Sequence, residues 1–186
     1  MRYLILFITT LFCLSFIDDD NVIIWNKDRK LVWSDYKGKP QKRFVAASTV
    51  YSLGRKVLKK EDGTIVARIQ AYFYCEDSWK KDDWINDDVL AHEQKHFDIV
   101  ELFSRKMRKQ ITGMTFLNFS DAEKKVDAMY GLYNEQMDKF QDQYDEETDG
   151  SMNGDAQRKW NKNIMAEIEA LADYEGIFIP LKIKTK

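Results

Sequence analysis

The chain has 186 residues, of which 44% are hydrophobic and 13% aromatic, and its formal charge at pH 7 is -2. This length and composition predict one globular domain that is large enough to bury a core. Because positive and negative charges nearly balance, the sequence gives no electrostatic reason to expect nucleic acid or an anionic membrane surface as a partner.

Residues 1–17 are typical of a secretory leader. A positive start is followed by an apolar run over residues 3–16 and then by three aspartates. The run is shorter than the ~20 apolar residues that a membrane-spanning helix needs, so we expect cleavage rather than anchoring. The prediction is an exported, periplasmic or secreted domain over residues 18–186, with no membrane span after cleavage. A lipid anchor at Cys13 is less favoured, because the residues before it are large.

The first half of the mature chain carries strand signals. Residues 31–33, 44–58 and 64–75 are rich in β-branched and aromatic side chains. Asp62-Gly63, between the last two segments, is a strong signal for a β-hairpin. Apolar and polar residues alternate over much of 64–75, which predicts one buried and one wet face of a sheet.

The second half is predicted to be helical. Apolar residues and both histidines recur at three- and four-residue steps over residues 84–111, and a capping box at 120–123 opens a second helix. An acidic loop over 145–155 separates it from a third helix over 156–171, and residues 177–186 form an extended tail. The predicted fold class is therefore α+β, with a small antiparallel sheet packed against three helices.

Both histidines of the chain lie in the sequence His92-Glu93-Gln-Lys-His96. On a helix, residues i and i+4 project from the same face, so the two imidazoles can bind one metal ion. Glu93 is rotated by about 100° from His92, which places it beside a metal-activated water rather than among the ligands. The motif predicts a zinc site in which Glu93 is the general base for hydrolysis, and with it the expected α+β fold is zincin-like.

A catalytic zinc site normally takes three protein ligands, and the chain has no third histidine. A carboxylate must then complete the site. Glu135 on the second helix is one candidate, although its position points partly away from the apolar stripe. The acidic loop offers Glu147 and Asp149.

Two segments, "HEQKHFDI" at 92–99 and "YDEETDGSMNGDAQRKW" at 144–160, carry a resemblance to a known family. The chain resembles secreted bacterial proteins of unknown function that are predicted to be zinc-dependent proteases, and the likeness covers most of the mature chain. The family's downstream pattern matches this sequence at Tyr144, Asp145, Thr148, Gln157 and Trp160. The histidine of that pattern falls on Gly150, and the resemblance implies that this histidine is the third zinc ligand.

Two interpretations follow from the glycine. Asp149, its neighbour, replaces the missing histidine, which gives a zinc metalloendopeptidase with His92, His96 and Asp149 as ligands and with peptides or proteins as substrates. Alternatively, the chain is a catalytically lapsed relative that serves as an exported binding or scaffold protein. The sequence does not predict the oligomeric state or the substrate.

Overall fold

The computed structural model describes residues 21–42 and 44–185, so the predicted leader and Cys13 lie outside the described residues. Three helices and several short strands confirm the α+β prediction. The helices are α1 (Asp87–Thr112), α2 (Phe119–Thr148) and α3 (Gly154–Glu169). The strands are β1 (Val22–Ile24), β2 (Ala47–Ser48), β3 (Tyr51–Lys59), β4 (Ile65–Tyr74), β5 (Trp79–Lys80), β6 (Thr115–Phe116), β7 (Phe178–Pro180) and β8 (Lys182–Ile183).

The main sheet is antiparallel and is built around β4. The predicted hairpin is confirmed, because β3 pairs with β4 along its full length and the strands meet at Lys59 and Ile65. Gly63 in the turn has φ of 85°, a conformation that favours glycine. β1 and β7 pair with opposite ends of the other edge of β4. β4 is therefore the central strand, and both of its edges are occupied.

The alternation along β4 holds on one face and only partly on the other. The predicted buried face is confirmed, with Ala67, Ile69, Ala71 and Phe73 buried. On the face predicted to be wet, Arg68 and Tyr72 are half-buried, but Val66 and Gln70 are buried. A central strand is covered on both faces more often than an edge strand, which a single-strand pattern does not reveal.

α1 lies in the middle of the molecule, against β4, α2 and α3. The side chain of Asn86 accepts a hydrogen bond from the Val89 backbone N–H and so begins the helix. The predicted buried stripe is confirmed at His92, His96 and Ile99, and it continues through Phe103 and Met107. Within the described residues, no helix is long and apolar enough to cross a membrane.

Three local predictions are wrong. Residues 31–33 do not form a strand, because the Asp35 carboxylate accepts the Val32 backbone N–H and holds a short 3-10 turn at Trp33–Asp35. α2 begins one residue before Ser120 and is capped by Asn118, so 120–123 is not the capping box. The first residues of the predicted acidic loop belong to α2, which continues to Thr148.

A buried ionic group fastens α1 to the C-terminal segment. Glu101 accepts hydrogen bonds from Arg105 Nε at 2.8 Å and from Arg108 Nη2 at 2.8 Å, and all three side chains are buried. The guanidinium of Arg105 also donates to the carbonyl of Ile168, and that of Arg108 donates to the carbonyl of Ile69. One carboxylate thus balances two cations that hold α1 to both α3 and the sheet.

We predict that Glu101→Ala lowers the free energy of unfolding by about 3–5 kcal/mol, because it leaves two guanidiniums buried without their counter-charge. Urea denaturation followed by circular dichroism measures the change. Glu135→Ala is the control, since its ion pair with Lys139 has the same helical spacing but is exposed; we expect little effect there. Equal effects of the two substitutions would contradict this account.

Candidate metal centre

The site is formed where α1 and α2 run antiparallel. His92 is within hydrogen-bond distance of Asp145, and His96, one turn further along α1, is within hydrogen-bond distance of Gln141, one turn earlier on α2. These pairs fix the register of the two helices. The N-terminal part of α1 therefore faces the C-terminal part of α2, and side chains about 50 residues apart in the chain share one site.

Three donor atoms converge on one point. His92 Nε2 lies 3.2 Å from His96 Nε2, and Asp145 Oδ1 lies 3.1 Å from the first and 3.0 Å from the second. Ligands placed about 2.0–2.1 Å from a tetrahedral zinc ion are separated by about 3.3 Å, so this triangle fits the ion after an expansion of a few tenths of an ångström. Among the described residues, these three side chains form a group that could hold a metal ion.

Hydrogen bonds behind His92 fix its tautomer. Its Nδ1 lies 3.0 Å from Gln157 Oε1, while the Gln157 amide nitrogen donates to the Tyr144 hydroxyl and to Asn161 Oδ1. The Tyr144 hydroxyl in turn donates to the His92 carbonyl. Because the amide oxygen can only accept, Nδ1 carries the proton and leaves the Nε2 lone pair facing the centre of the triangle.

His96 is held in the same way from α2. Its Nδ1 lies 2.7 Å from Gln141 Oε1, and the Gln141 amide nitrogen donates to the His96 carbonyl at 3.0 Å. Because the His96 carbonyl oxygen can only accept, the amide nitrogen of Gln141 must face it, and Gln141 Oε1 must face His96 Nδ1. His96 Nδ1 therefore carries the proton. Both histidines consequently present Nε2 lone pairs to each other at 3.2 Å, an arrangement that requires a cation or a proton between them.

Aromatic rings hold the imidazoles from the sides. The Tyr144 ring stacks on His92 with a centroid separation of 4.7 Å and meets the His96 ring edge-on at 5.1 Å. Tyr51, from β3, stacks on His96 at 6.3 Å, and Trp160 packs against Tyr144. These contacts restrict the rotation of both histidines, so the fold itself helps to orient two of the three donors.

The electrostatics of the site favour a positive charge at its centre. Burial alone would lower the pKa of His96, but hydrogen bonding to Asp145 and the nearby charge of Glu93 raise it above its usual value. Partial burial alone would raise the pKa of Asp145, but its hydrogen bonds to the two histidines bring it far below its usual value. Asp145 is thus a carboxylate, and a metal ion would displace the proton that His96 otherwise attracts.

Glu93 lies beside the triangle but does not belong to it. Only 6% of the residue is exposed, and its Oε2 is buried with no hydrogen-bond partner among the described residues. A buried carboxylate oxygen without a partner costs free energy. Glu93 is outside the three-donor group, and its role as general base stays a prediction.

An open cleft of about 1140 Å³ leads to the three donors. Residues 44–49 and Tyr51 line one side, and Asp83, Trp84 and the first turns of α1 line another. The end of α2 and the turn at 149–152 complete the lining. Because His92, Glu93, His96 and Asp145 all reach this cleft, a molecule of peptide size has access to the donor atoms.

The structure brings together three of the four predicted site residues and adds one that the sequence analysis did not select. His92, Glu93 and His96 share the site, and Asp145 supplies the third donor. Asp149 ends α2 in a left-handed conformation and lines the same cleft, but it is outside the three-donor group. Its role as a ligand stays a prediction. Gln141, Tyr144, Asp145 and Thr148 recur at helical spacing on the face of α2 toward α1, but that spacing alone does not say which of them reaches the histidines.

Comparison with known proteins gives one match. Residues 75–154, less than half of the chain, match a family described as "Bacterial protein of unknown function (DUF922)". The matched segment contains α1, α2 and the three-donor group, and it ends before Gln157. No curated protein and no solved structure matches the chain.

We predict that Asp145→Ala weakens zinc binding at least 100-fold, since loss of a ligand should exceed the roughly 10- to 100-fold effect of losing a group behind the ligands. Asp149→Ala is the matched control, because it removes the same charge from the same cleft. Titration against a competing chelator measures both. A larger loss in the Asp149 variant would assign the third ligand to Asp149 instead.

Adding Gly150→His to the Asp145→Ala variant tests whether the turn after α2 reaches the metal. A Cβ at Gly150 would meet no atom within 4 Å, although φ of 55° adds a backbone cost of about 1 kcal/mol for a residue other than glycine. We expect the new imidazole to recover part of the lost zinc affinity. Affinity unchanged from the single variant would mean that position 150 lies out of reach.

We also predict that Gln157→Leu lowers zinc affinity about 10- to 100-fold, because His92 loses the acceptor that fixes its tautomer. Competition titration measures the affinity, and the histidine ring nitrogens can be followed by NMR. Gln143→Leu is the control, since Gln143 is an exposed residue whose hydrogen bond goes to Glu147. An unchanged nitrogen spectrum in the Gln157 variant would refute the proposed role.

Proposed function

We propose that this protein is a zinc-dependent metallopeptidase that hydrolyses peptide bonds of chains held in the cleft. The observation that carries the proposal is the convergence of His92 Nε2, His96 Nε2 and Asp145 Oδ1 in the lining of an open cleft, next to Glu93, whose Oε2 has no hydrogen-bond partner among the described residues. Structural zinc sites are closed by four protein ligands, whereas catalytic ones keep a position for water and substrate. Three donors facing a cleft are of the second kind.

The chemistry of the donors supports zinc. Two neutral imidazole nitrogens and one carboxylate oxygen suit zinc and other transition metals better than magnesium or calcium, which prefer oxygen ligands alone. Zinc bound there would act as a Lewis acid that polarises the substrate carbonyl and lowers the pKa of water toward neutrality. His92, His96 and Asp145 would hold the ion, and Gln157 and Gln141 would keep the imidazoles oriented.

Glu93 is assigned the proton transfers. As water attacks the carbonyl carbon, the Glu93 carboxylate accepts a proton from the water, and a C–O bond forms. Glu93 then gives that proton to the amide nitrogen as the C–N bond breaks, which releases an amine and a carboxylic acid. The acid then loses its own proton to the amine or to solvent. The position of Glu93 supports this role, because the residue lines the cleft beside the three donors and its Oε2 is not held by a hydrogen bond to any described residue.

The alternative of a lapsed binding or scaffold protein was motivated by the glycine at position 150. Asp145 supports the enzyme instead, because it supplies the third donor and no side chain is then needed at position 150. The orphaned Oε2 of Glu93 also has no evident use in a scaffold. Neither observation requires the missing histidine.

The wall formed by residues 44–49 suggests how substrate is held. The central strand β4 offers no free edge to an extended peptide, because both of its edges are paired. The short strand β2, in the wall of the cleft, runs close to α1, where the Thr49 hydroxyl lies 3.5 Å from the Glu93 carbonyl. A peptide extended along this wall would bring its carbonyl groups toward the three donors.

We predict that Glu93→Gln retains about one zinc ion per chain but loses hydrolysis by about 100-fold or more, since the amide cannot accept the proton. Metal content is measured by mass spectrometry on protein purified without chelator, and hydrolysis on an unfolded protein substrate. A chelator should stop the wild type and added zinc should restore it. A Glu93→Gln protein that cleaves as fast as wild type would falsify the mechanism.

A further inference from the structure

The outer part of the cleft is bordered by exposed apolar side chains, which we call the apolar rim: Phe44, Val45, Trp84 and Met152. Phe44 is 99% exposed, Met152 77% and Trp84 50%. They come from three separate segments of the chain, so no single helix or strand pattern explains them. Large apolar side chains gathered around one opening mark a binding surface for apolar groups.

The charges in the same cleft have one sign. Asp83, Asp88 and Asp149 line it in addition to Glu93 and Asp145 of the metal centre, and no lysine or arginine is among the described lining residues. The ammonium of Lys81 lies 4.2 Å from the Trp84 ring centroid but is outside the lining. With Glu93 and Asp145 assigned to the metal centre, and Asp149 still a candidate ligand, the carboxylates of Asp83 and Asp88 remain to interact with a bound chain.

This charge pattern bears on which part of a substrate chain can bind. A peptidase that removes C-terminal residues needs a cation to pair with the terminal carboxylate, and the described lining offers none. Acidic substrates would meet like charges, which disfavours their association. Lysine and arginine side chains of a substrate would pair with the aspartates, and apolar side chains next to them in the substrate would pack against the apolar rim.

We infer that the cleft takes an internal, extended peptide segment in which bulky apolar side chains are flanked by lysine or arginine. The inference rests on the proposed function, since it names the substrate class of the same site. It depends on two independent features, the apolar rim and the remaining carboxylates, and each of them can be removed without touching the metal centre.

Binding is tested on the zinc-loaded Glu93→Gln protein, which should hold substrate without cleaving it. Fluorescent peptides, acetylated and amidated at their ends, carry an apolar core with lysine flanks, the same core with glutamate flanks, or a Ser-Gly core with lysine flanks. We expect anisotropy to show the first binding roughly 3- to 10-fold tighter than the second, with a gap that shrinks in high salt. The Ser-Gly core should bind about 10-fold more weakly.

Variants assign these preferences to the cleft. Asp83→Asn with Asp88→Asn should remove the advantage of lysine flanks, whereas Asp173→Asn, an exposed aspartate outside the lining, should leave it. Phe44→Ser with Met152→Ser should reduce the advantage of the apolar core, whereas Leu132→Ser, which removes an exposed leucine of α2 outside the lining, should not. Equal binding of all three peptides, or tighter binding of the glutamate-flanked one, would overturn the inference.

Cleavage by the wild type separates this inference from the proposed function. Mass spectrometry of the products should place the cut within the blocked peptides, and a requirement for a free terminus would overturn the assignment of an internal segment. If the peptides bind with the expected preference and none is cut, the inferred substrate surface is supported and the proposed peptidase activity is refuted. If an unfolded protein is cut but the peptides bind without preference, the proposed peptidase activity is supported and the inferred substrate preference is refuted.

Discussion

The fold depends on a helix that carries many polar side chains through the interior. Along α1, His92, Glu93, Gln94, His96, Asp98, Glu101, Ser104, Arg105 and Arg108 are all buried. Each buried polar group needs a hydrogen-bond partner, so the segments that pack on α1 must place donors or acceptors at fixed positions. Asp98 receives the Trp25 indole N–H at 2.8 Å, and Gln94 accepts the Leu31 backbone N–H at 2.7 Å. The N-terminal segment, the sheet and α3 are thereby all placed relative to one helix.

The candidate metal centre follows from the same requirement. His92 and His96 need acceptors for their Nδ1 protons, and Gln157 and Gln141 provide them from two different helices. Satisfying these bonds sets the register of α2 against α1 and brings Asp145 to the open side of the imidazoles. Glu93 Oε2 is the exception on α1, because no described residue satisfies it. Among the described residues, this is the buried side-chain oxygen of α1 that the fold leaves without a hydrogen bond.

The backbone of the turn between α2 and α3 is strained. Asp149, Gly150 and Ser151 have φ of 49°, 55° and 85°, and two of them are not glycine. Such conformations persist where the surrounding structure imposes them, and they gather near functional sites. Here α3 must return quickly enough for Gln157 to reach His92, and the turn that permits this also lines the cleft. Met152 of the apolar rim is presented by this turn.

The sequence by itself determined the features that depend on local spacing. The four-residue step between the histidines, the rotation of Glu93 away from them and the hairpin at Gly63 all follow from residues close together in the chain. Asp145 could not be selected in this way, because its nearness to His92 depends on how two long helices align, and one more helical turn in the connection would bring a different side chain. The acidic lining and the apolar rim of the cleft likewise depend on the tertiary structure, since their residues come from segments that are far apart in the chain and share no periodic pattern. Local geometry is encoded by periodicity, whereas the third donor and the cleft depend on packing between distant elements.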